Sequence, residues 1–311
     1  MRALPMRAIV ASATPPHAEL AEVPEPAPLP HETLVEVKAI SLNRGEVRRL
    51  ATTKPGTVTG WDLAGVVRQA AADGGGPAAG ARVVGLMNAG AWAELAAVRS
   101  DWLAELPEGV SFEQAAALPV AALTALRALE HGGFVLGKRV LVTGASGGVG
   151  RFATQLAKLG GAHVTAIAQR TQGLNELGAD EAHAELEAHH GPDYELIIDA
   201  VGGPTLGLAL QRVAPGGTVV SFAATTQAPV SYPTREFFAR APGARLYGLY
   251  LFSELERTRS CRADLARLAA LIAAGRLDPQ IALSADWSEF AGALDALLGR
   301  RVNGKAVLRI A

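Results

Sequence analysis

Cysteine is almost missing from these 311 residues. Cys261 stands alone, which rules out an intrachain disulfide and a thiolate zinc cluster. It lies in the helical-looking run Ser253 to Ala274 and reads as a buried structural thiol. An excess of either charge is missing too. Lys plus Arg number 29 against 30 Asp plus Glu, so there is no broad cationic field for nucleic acid, and a small molecule is the expected partner. Long apolar runs are also lacking. The longest, Ala115 to Leu126, is interrupted by Pro119, ends at Arg127 and falls short of the ~18 residues of a membrane span. Behind Arg2 and Arg7, the stretch Ala8 to Ala11 is too short for the core of a signal peptide. A cytoplasmic protein with no membrane partner is the expectation.

The length suggests two domains, and a 49% hydrophobic fraction is ordinary for a folded chain. The first third reads as short strands: Arg7 to Ser12, Thr33 to Ile40, Leu63 to Gln69, Ala81 to Leu86 and Trp92 to Val98. Turns rich in Pro or Gly separate them, which predicts a compact, mostly antiparallel, barrel-like domain.

The middle of the chain alternates strand and helix. Strand candidates are Arg139 to Gly144, His163 to Ala168, Leu196 to Val201, Thr218 to Ala223 and Arg245 to Leu251. Helix candidates are Gly148 to Gly160, Thr171 to Leu177, Pro204 to Val213 and Ser253 to Ala274. Such alternation predicts a doubly wound parallel sheet, an α/β fold. A helix, Trp287 to Leu298, and a strand, Lys305 to Ile310, end the chain. A lone terminal strand has to pair somewhere, and the first domain offers a place.

The strongest chemical signal is the segment Val140 to Gly150 (VLVTGASGGVG). Glycines at 144, 147, 148 and 150 crowd a turn between a strand and a helix. A diphosphate needs main-chain N–H groups and the positive end of a helix, with no side chain in the way. Gly144, Ser146, Gly147, Gly148, Val149 and Gly150 are therefore the expected phosphate cradle of a dinucleotide. NAD sites usually carry an acid on the next strand to hold the ribose 2′-hydroxyl. Here that strand ends in Ala168-Gln169-Arg170-Thr171. A guanidinium there favours a 2′-phosphate, hence NADPH (NADP+); a solvated charge at a strand end is the alternative.

Seven stretches in order carry a family resemblance. They are the loop 140–150, Ser41-Leu42-Asn43-Arg44-Gly45-Glu46, Gly60-Trp61-Asp62-Leu63-Ala64-Gly65-Val66-Val67, Gly90-Ala91-Trp92-Ala93-Glu94, Leu118 to Leu126, Asp199-Ala200-Val201-Gly202-Gly203, and Asn303 to Leu308. Together they resemble the zinc-independent quinone oxidoreductases of the medium-chain dehydrogenase/reductase superfamily over nearly the whole chain.

That resemblance implies a GroES-like, mostly-β catalytic domain over 1–117, completed by about 278–311. It implies a Rossmann dinucleotide-binding domain over 118–277, with the active site in the cleft between the two domains. It also implies a homodimer joined through the edge of the Rossmann sheet, for which Arg245 to Leu251 would serve; an internal last strand would explain the same residues. Where the zinc enzymes of the superfamily carry Gly-His-Glu, this chain has Gly60-Trp61-Asp62, and no cysteine precedes position 261. No bound metal is expected. The pair His189-His190, beside Glu187 and Asp193, reads as a solvated loop rather than a metal site.

Without a Lewis acid, the chemistry expected is hydride delivery to an already electrophilic acceptor, a quinone or an α,β-unsaturated carbonyl. A pathway-specific enoyl or iminium reductase, and a nucleotide-binding protein without turnover, share the same motifs. Asn43, Arg44, Trp61 and Asp62 are the catalytic candidates. The Asn43 amide can donate to a substrate oxygen or to the nicotinamide ribose, or cap a turn; Arg44 can stabilise an oxyanion, or pair with Glu46 or Asp62. Trp61 and Trp92 offer flat walls, although Trp92 reads better as core. Thr124, Val201, Gly202, Ala223 and Ala224 are expected at the cofactor. The family's tyrosine a few residues past the Asn is replaced by Arg48, which leaves water, Tyr250 or the substrate as proton source.

Overall fold

The computed structural model describes residues 4–187 and 193–311, and it groups the chain into two units. One is Met1–Leu123 with Leu255–Ala311, the other Thr124–Glu254. In chain order, strands β1 (Pro5–Ala11), β2 (Ala18–Pro24) and β3 (Glu32–Leu42) lead to helix α1 (Arg44–Arg49). Then come β4 (Asp62–Gln69), β5 (Arg82–Leu86), β6 (Leu95–Arg99), β7 (Leu103–Glu105), α2 (Phe112–Ala116) and α3 (Pro119–His131). The middle holds β8 (Arg139–Thr143), α4 (Gly148–Leu159), β9 (His163–Ile167), β10 (Glu181–His183), β11 (Tyr194–Asp199) and α5 (Gly203–Leu210). It continues with β12 (Val213–Ser221), α6 (Thr234–Arg240), β13 (Arg245–Gly248) and α7 (Leu251–Thr258). The chain closes with α8 (Cys261–Ala273), β14 (Ile281–Asp286), α9 (Phe290–Leu298) and β15 (Lys305–Arg309).

In the first unit the sheet order is β14-β15-β3-β4-β5-β7, with β6 also paired to β3 and a separate β1–β2 hairpin. Pairing is antiparallel except between β14 and β15. The last strand does return here: Ala306 stands opposite Leu42 on β3. On the other side of β3, Ser41 stands opposite Asp62. One end of this sheet thus gathers the start of β4, the end of β3 and the start of β15. Ile40, Leu63, Trp92, Leu103, Leu294 and Leu308 sit in the core beneath it.

The second unit is a six-stranded sheet in the order β10-β9-β8-β11-β12-β13, parallel throughout. Counting from β8, this is 3-2-1-4-5-6, the Rossmann order, and the winding reverses between β8 and β11. Val140, Leu141 and Val142 on β8, and Leu196, Ile197 and Ile198 on β11, are all fully buried. Unbroken apolar runs of that kind are what a parallel sheet covered on both faces requires.

The helix expected at Thr171 to Leu177 is instead a series of turns, Leu174 N–H to Thr171 O and Leu177 N–H to Gly173 O. Gly173 takes φ +78° there, which an α-helix cannot accommodate. The single helix expected over Ser253 to Ala274 is two, α7 and α8, broken where Arg259 takes φ 51°. The strand expected to run to Leu251 stops at Gly248, and Leu251 opens α7. Helix α8 packs on β5 and β7, and Arg262 of this helix donates to the carbonyl of Gly75 at 2.6 Å. The first unit resumes at Leu255. Cys261 is buried at the start of α8, as a structural thiol should be.

Candidate functional site

In the second unit, β8 ends at Thr143 and the glycine loop turns straight into α4. Gly144 takes φ +65°, where a side chain is strained, and a Cβ on it would press against Ala200 and Val201 at 3.1 and 3.4 Å. A Cβ on Gly150 would lie 2.5 Å from the Gly144 oxygen and 2.6 Å from the Ala145 Cα, so the helix packs on the loop only because Gly150 lacks one. Gly147 N–H closes the turn onto Gly144 O at 3.0 Å. Helix geometry leaves the N–H groups of Gly148, Val149 and Gly150 without carbonyl partners in their own helix. These amides lie at the positive end of α4, which has no acidic residue in its first turn. That is an anion cradle. Ser146 is half-buried in the same loop.

The neighbouring strand ends complete the rim. Asp199, buried at the end of β11, accepts from Thr143 Oγ1 at 2.6 Å, from the amides of Val201 and Gly202 at 3.3 and 3.1 Å, and from Ser221 Oγ at 3.3 Å. One carboxylate thereby ties the ends of β8, β11 and β12 together. Val201 and Gly202 follow directly, and Thr225 N–H donates back to Val201 O at 2.8 Å. The exposed Ala223 and Ala224 pass so close that a Cβ on Gly202 would lie 3.1 Å from that of Ala224. The loop 144–150, Val201, Gly202 and Ala224 therefore share one edge of the sheet at its switch point. Arg170 is exposed just past β9, directly before the turn that opens with Thr171. Thr124 is buried in α3.

In the first unit, Asn43 lies between β3 and α1. Glu46 reaches back to its main-chain N–H at 2.7 Å, the acid half of the capping box that an Asn-x-x-Glu spacing allows. The Asn43 side chain is fully committed. Its Nδ2 donates to Glu46 Oε1 at 2.9 Å and to Asp62 Oδ2 at 2.7 Å, and its Oδ1 accepts from Lys305 Nζ at 2.9 Å. Asp62 Oδ2 lies 3.6 Å from Lys305 Nζ, and Asp62 Oδ1 accepts from the Val120 amide at 2.9 Å, at the N-terminus of α3. Asp62 and Lys305 are 0% and 3% exposed.

This geometry bears on two of the catalytic candidates. Asn43 has no amide hydrogen left over for a substrate oxygen, and the sealed Asp62 does not reach the surface. Arg44 Nη2 donates to the Leu297 carbonyl in the last turn of α9 at 3.3 Å. Trp61, half-buried, stacks over α1 so closely that a Cβ on Gly45 would lie 3.2 Å from its ring. Trp92 is core, as its sequence setting suggested. Two members of the cluster, Glu46 and Lys305, carried no assigned role in the sequence. A lysine directly before the apolar run Ala306 to Leu308 was the signal available.

Burial sets the charges in this cluster. Desolvation, and then the neighbouring Asp62 carboxylate, hold the Glu46 pKa well above the usual range. Desolvation also raises Asp62, against the pull of Lys305 and its hydrogen bonds, and lowers Lys305. Two carboxyls and one ammonium in one dry pocket are best balanced with one proton on Glu46 and an Asp62–Lys305 ion pair. Among the described residues, no three His, Cys, Asp or Glu side chains converge as a metal site would need. The His189-His190 pair lies outside the described residues, and its neighbour Asp193 is paired with Arg240 at 2.6 Å.

A phosphate cradle at the switch point of a 3-2-1-4-5-6 sheet defines a dinucleotide-binding α/β protein. Residues 29–108 match the alcohol dehydrogenase GroES-like domain, and residues 177–308 match the zinc-binding dehydrogenase family. The chloroplast envelope quinone oxidoreductase homolog of Arabidopsis thaliana is 32% identical over 243 residues, 70% of this chain and 74% of that protein. The 2-methylene-furan-3-one reductase of Solanum lycopersicum is 35% identical over 211 residues, 61% of this chain but only 54% of that protein. The crystal structures of the quinone oxidoreductase of Pseudomonas syringae pv. Tomato DC3000 superpose with a TM-score of 0.85 at 28% identity, covering 98% of this chain and 100% of theirs. The chain belongs to the quinone oxidoreductase-like proteins of the medium-chain dehydrogenase/reductase superfamily. That is a family of oxidoreductases working with a nicotinamide dinucleotide. No helix among the described residues is long and apolar enough to cross a membrane.

Proposed function

We propose that this protein is an NADPH-dependent reductase that delivers hydride to a quinone or an α,β-unsaturated carbonyl without a catalytic metal. The observation that carries the metal-free part is the cluster around Asn43. Where a zinc enzyme needs converging thiolate, imidazole and carboxylate, this chain sets an amide, a sealed carboxylate and the Lys305 ammonium within 3.6 Å of one another. The cation there is the protein's own. A zinc ion finds neither a soft ligand nor an open position in that donor set.

The bound nicotinamide supplies the hydride. The chain's part is to bind the diphosphate on the amides of 147–150, to hold the 2′-phosphate on Arg170, and to seat the ring against Val201, Gly202, Ala223 and Ala224, with Thr124 close to it. Arg170, in the run Ala168-Gln169-Arg170-Thr171 just past β9, sets a guanidinium where NAD sites carry an acid, and supports NADPH over NADH. Arg44 and Trp61 are the substrate-facing members of the catalytic set: a cation for the oxyanion and a flat wall for a planar acceptor. Asn43 and Asp62 act behind them, fixing the loop 43–46 and the start of β4, directly after Trp61. A quinone oxidoreductase homolog and a furanone reductase among the relatives support both acceptor classes. A homodimer through β13 completes the proposal, supported by an edge strand whose Leu246 is half exposed.

Steady-state oxidation of NADPH against 1,4-benzoquinone, an enal and an enone tests this, with elemental analysis of the same sample. Turnover that survives chelation, on protein without stoichiometric zinc, is the expected result. NADPH that binds tightly while no acceptor oxidises it would leave a nucleotide-binding protein and end the enzymatic proposal.

A further inference from the structure

Arg151 follows the last fingerprint glycine and lies in the early part of α4, and it is only 5% exposed. A buried guanidinium near a helix N-terminus is a physical oddity. The helix dipole disfavours a cation there, and burial removes the water that would otherwise stabilise it. Its placement is specific. Nε donates to the Ser146 carbonyl at 3.2 Å, within the phosphate loop. On the other side, the Cβ position of Gly173 lies 3.9 Å from Nη1. Gly173 belongs to the turn that begins at Thr171, directly after Arg170, and that turn is pinned into the core by the fully buried Leu174. With φ +78° and no side chain, Gly173 leaves the space between the turn and Arg151 Nη1 clear.

We infer that Arg151 is a positioning residue for cofactor selectivity: it braces the Arg170 turn against the phosphate loop, so that Arg170 is held where a ribose 2′-phosphate arrives. The inference rests on the NADPH reading above and adds a second residue to it. Arg151 acts through Arg170 and through the loop carbonyl, not by touching the ligand. A planar fork is needed to reach Ser146 and the turn together, so lysine is a poor substitute.

The test is a double-mutant cycle on full-length protein, reading dissociation constants for 2′,5′-ADP and for 5′-ADP by calorimetry. Arg170→Ala alone should weaken 2′,5′-ADP selectively; if it weakens both nucleotides alike, the NADPH reading itself fails. Given that selectivity, Arg151→Leu should weaken 2′,5′-ADP by about fivefold or more and leave 5′-ADP within about twofold, with Arg151→Lys close to Arg151→Leu. In the Arg170→Ala background, Arg151→Leu should add almost nothing to the 2′,5′-ADP loss, because its partner has gone. Equal losses for both nucleotides, or full additivity with Arg170→Ala, would show a merely structural arginine and overturn the inference. Thermal melting of each variant identifies any that fails to fold. Should Arg151→Leu unfold, Arg151→Gln and the Lys variant carry the same comparison.

Discussion

Lys305 donates to the side-chain oxygen of Asn43 across 2.9 Å, although 262 positions separate them. That bond, with the Asp62 carboxylate 3.6 Å from the same ammonium, fastens the returning strand β15 to the loop after β3. Replacing Lys305 with Met leaves a fully buried Asp62 without its cation and Asn43 Oδ1 without a donor. Losing one partner of a buried pair costs about 3–5 kcal/mol. Urea unfolding of Lys305→Met should show a loss of that size. A loss below about 1 kcal/mol would mean the ammonium does not neutralise Asp62.

The second prediction concerns pH and Glu46. Burial and the Asp62 charge raise the Glu46 pKa, so the folded protein keeps this proton at a pH where the unfolded chain, near 4.3, has lost it. The stability this contributes is full below about pH 4.3 and drains away as pH rises through the folded value. Glu46→Gln has no such proton to lose. Its melting temperature should therefore gain on the wild type steadily between pH 5 and pH 8. Parallel curves over that range would place the buried proton elsewhere.

The third prediction tests the cradle. Gly150→Ala sets a methyl 2.5 Å from the Gly144 carbonyl and 2.6 Å from the Ala145 Cα, both backbone atoms that have to move. Overpacking of this kind costs about 1–3 kcal/mol. The displaced loop should also bind NADPH more weakly by on the order of tenfold, about 1.4 kcal/mol, in a fluorescence titration. Unchanged affinity would mean that the diphosphate does not rest on these amides.

Much of this arrangement is legible before any coordinates are known, and the reason is local. Four glycines between an apolar run and a helix constrain only neighbouring residues, and the burial that makes β8 and β11 unbroken apolar strands is written in their own composition. The cluster around Asn43 is different in kind. Its members come from the loop after β3, the first turn of α1, the start of β4 and the last strand, and no spacing rule links Asn43 to Lys305; only the β15–β3–β4 pairing brings them together. Asn43 reads in sequence as an amide on a loop, and nothing local announces that the carboxyls of Glu46 and Asp62 accept both of its hydrogens. The segment 171–177 looks helical by composition, but its single Gly173 takes a conformation that no helix contains. Short strands such as β10 and β7, of three residues each, bury too little to leave a period in the sequence.

The last prediction follows from Asp199, where each carboxylate oxygen serves one main-chain amide and one hydroxyl. Oδ1 accepts from Val201 N–H and Thr143 Oγ1, and Oδ2 from Gly202 N–H and Ser221 Oγ. In Asp199→Asn one oxygen becomes an NH2 group. The hydroxyl facing it can rotate and accept, but the backbone N–H cannot, so one buried amide loses its acceptor whichever way the side chain is turned. An orphaned donor of this kind costs about 1–3 kcal/mol. Because the orphan lies in the Val201–Gly202 turn at the rim of the cradle, NADPH affinity should fall along with stability. Asp199→Ala strips acceptors from both amides and should be worse on both measures. Urea unfolding and NADPH titration of the two variants would reveal the ordering, and an Asn variant as stable as wild type would show that the carboxylate does not organise the strand ends.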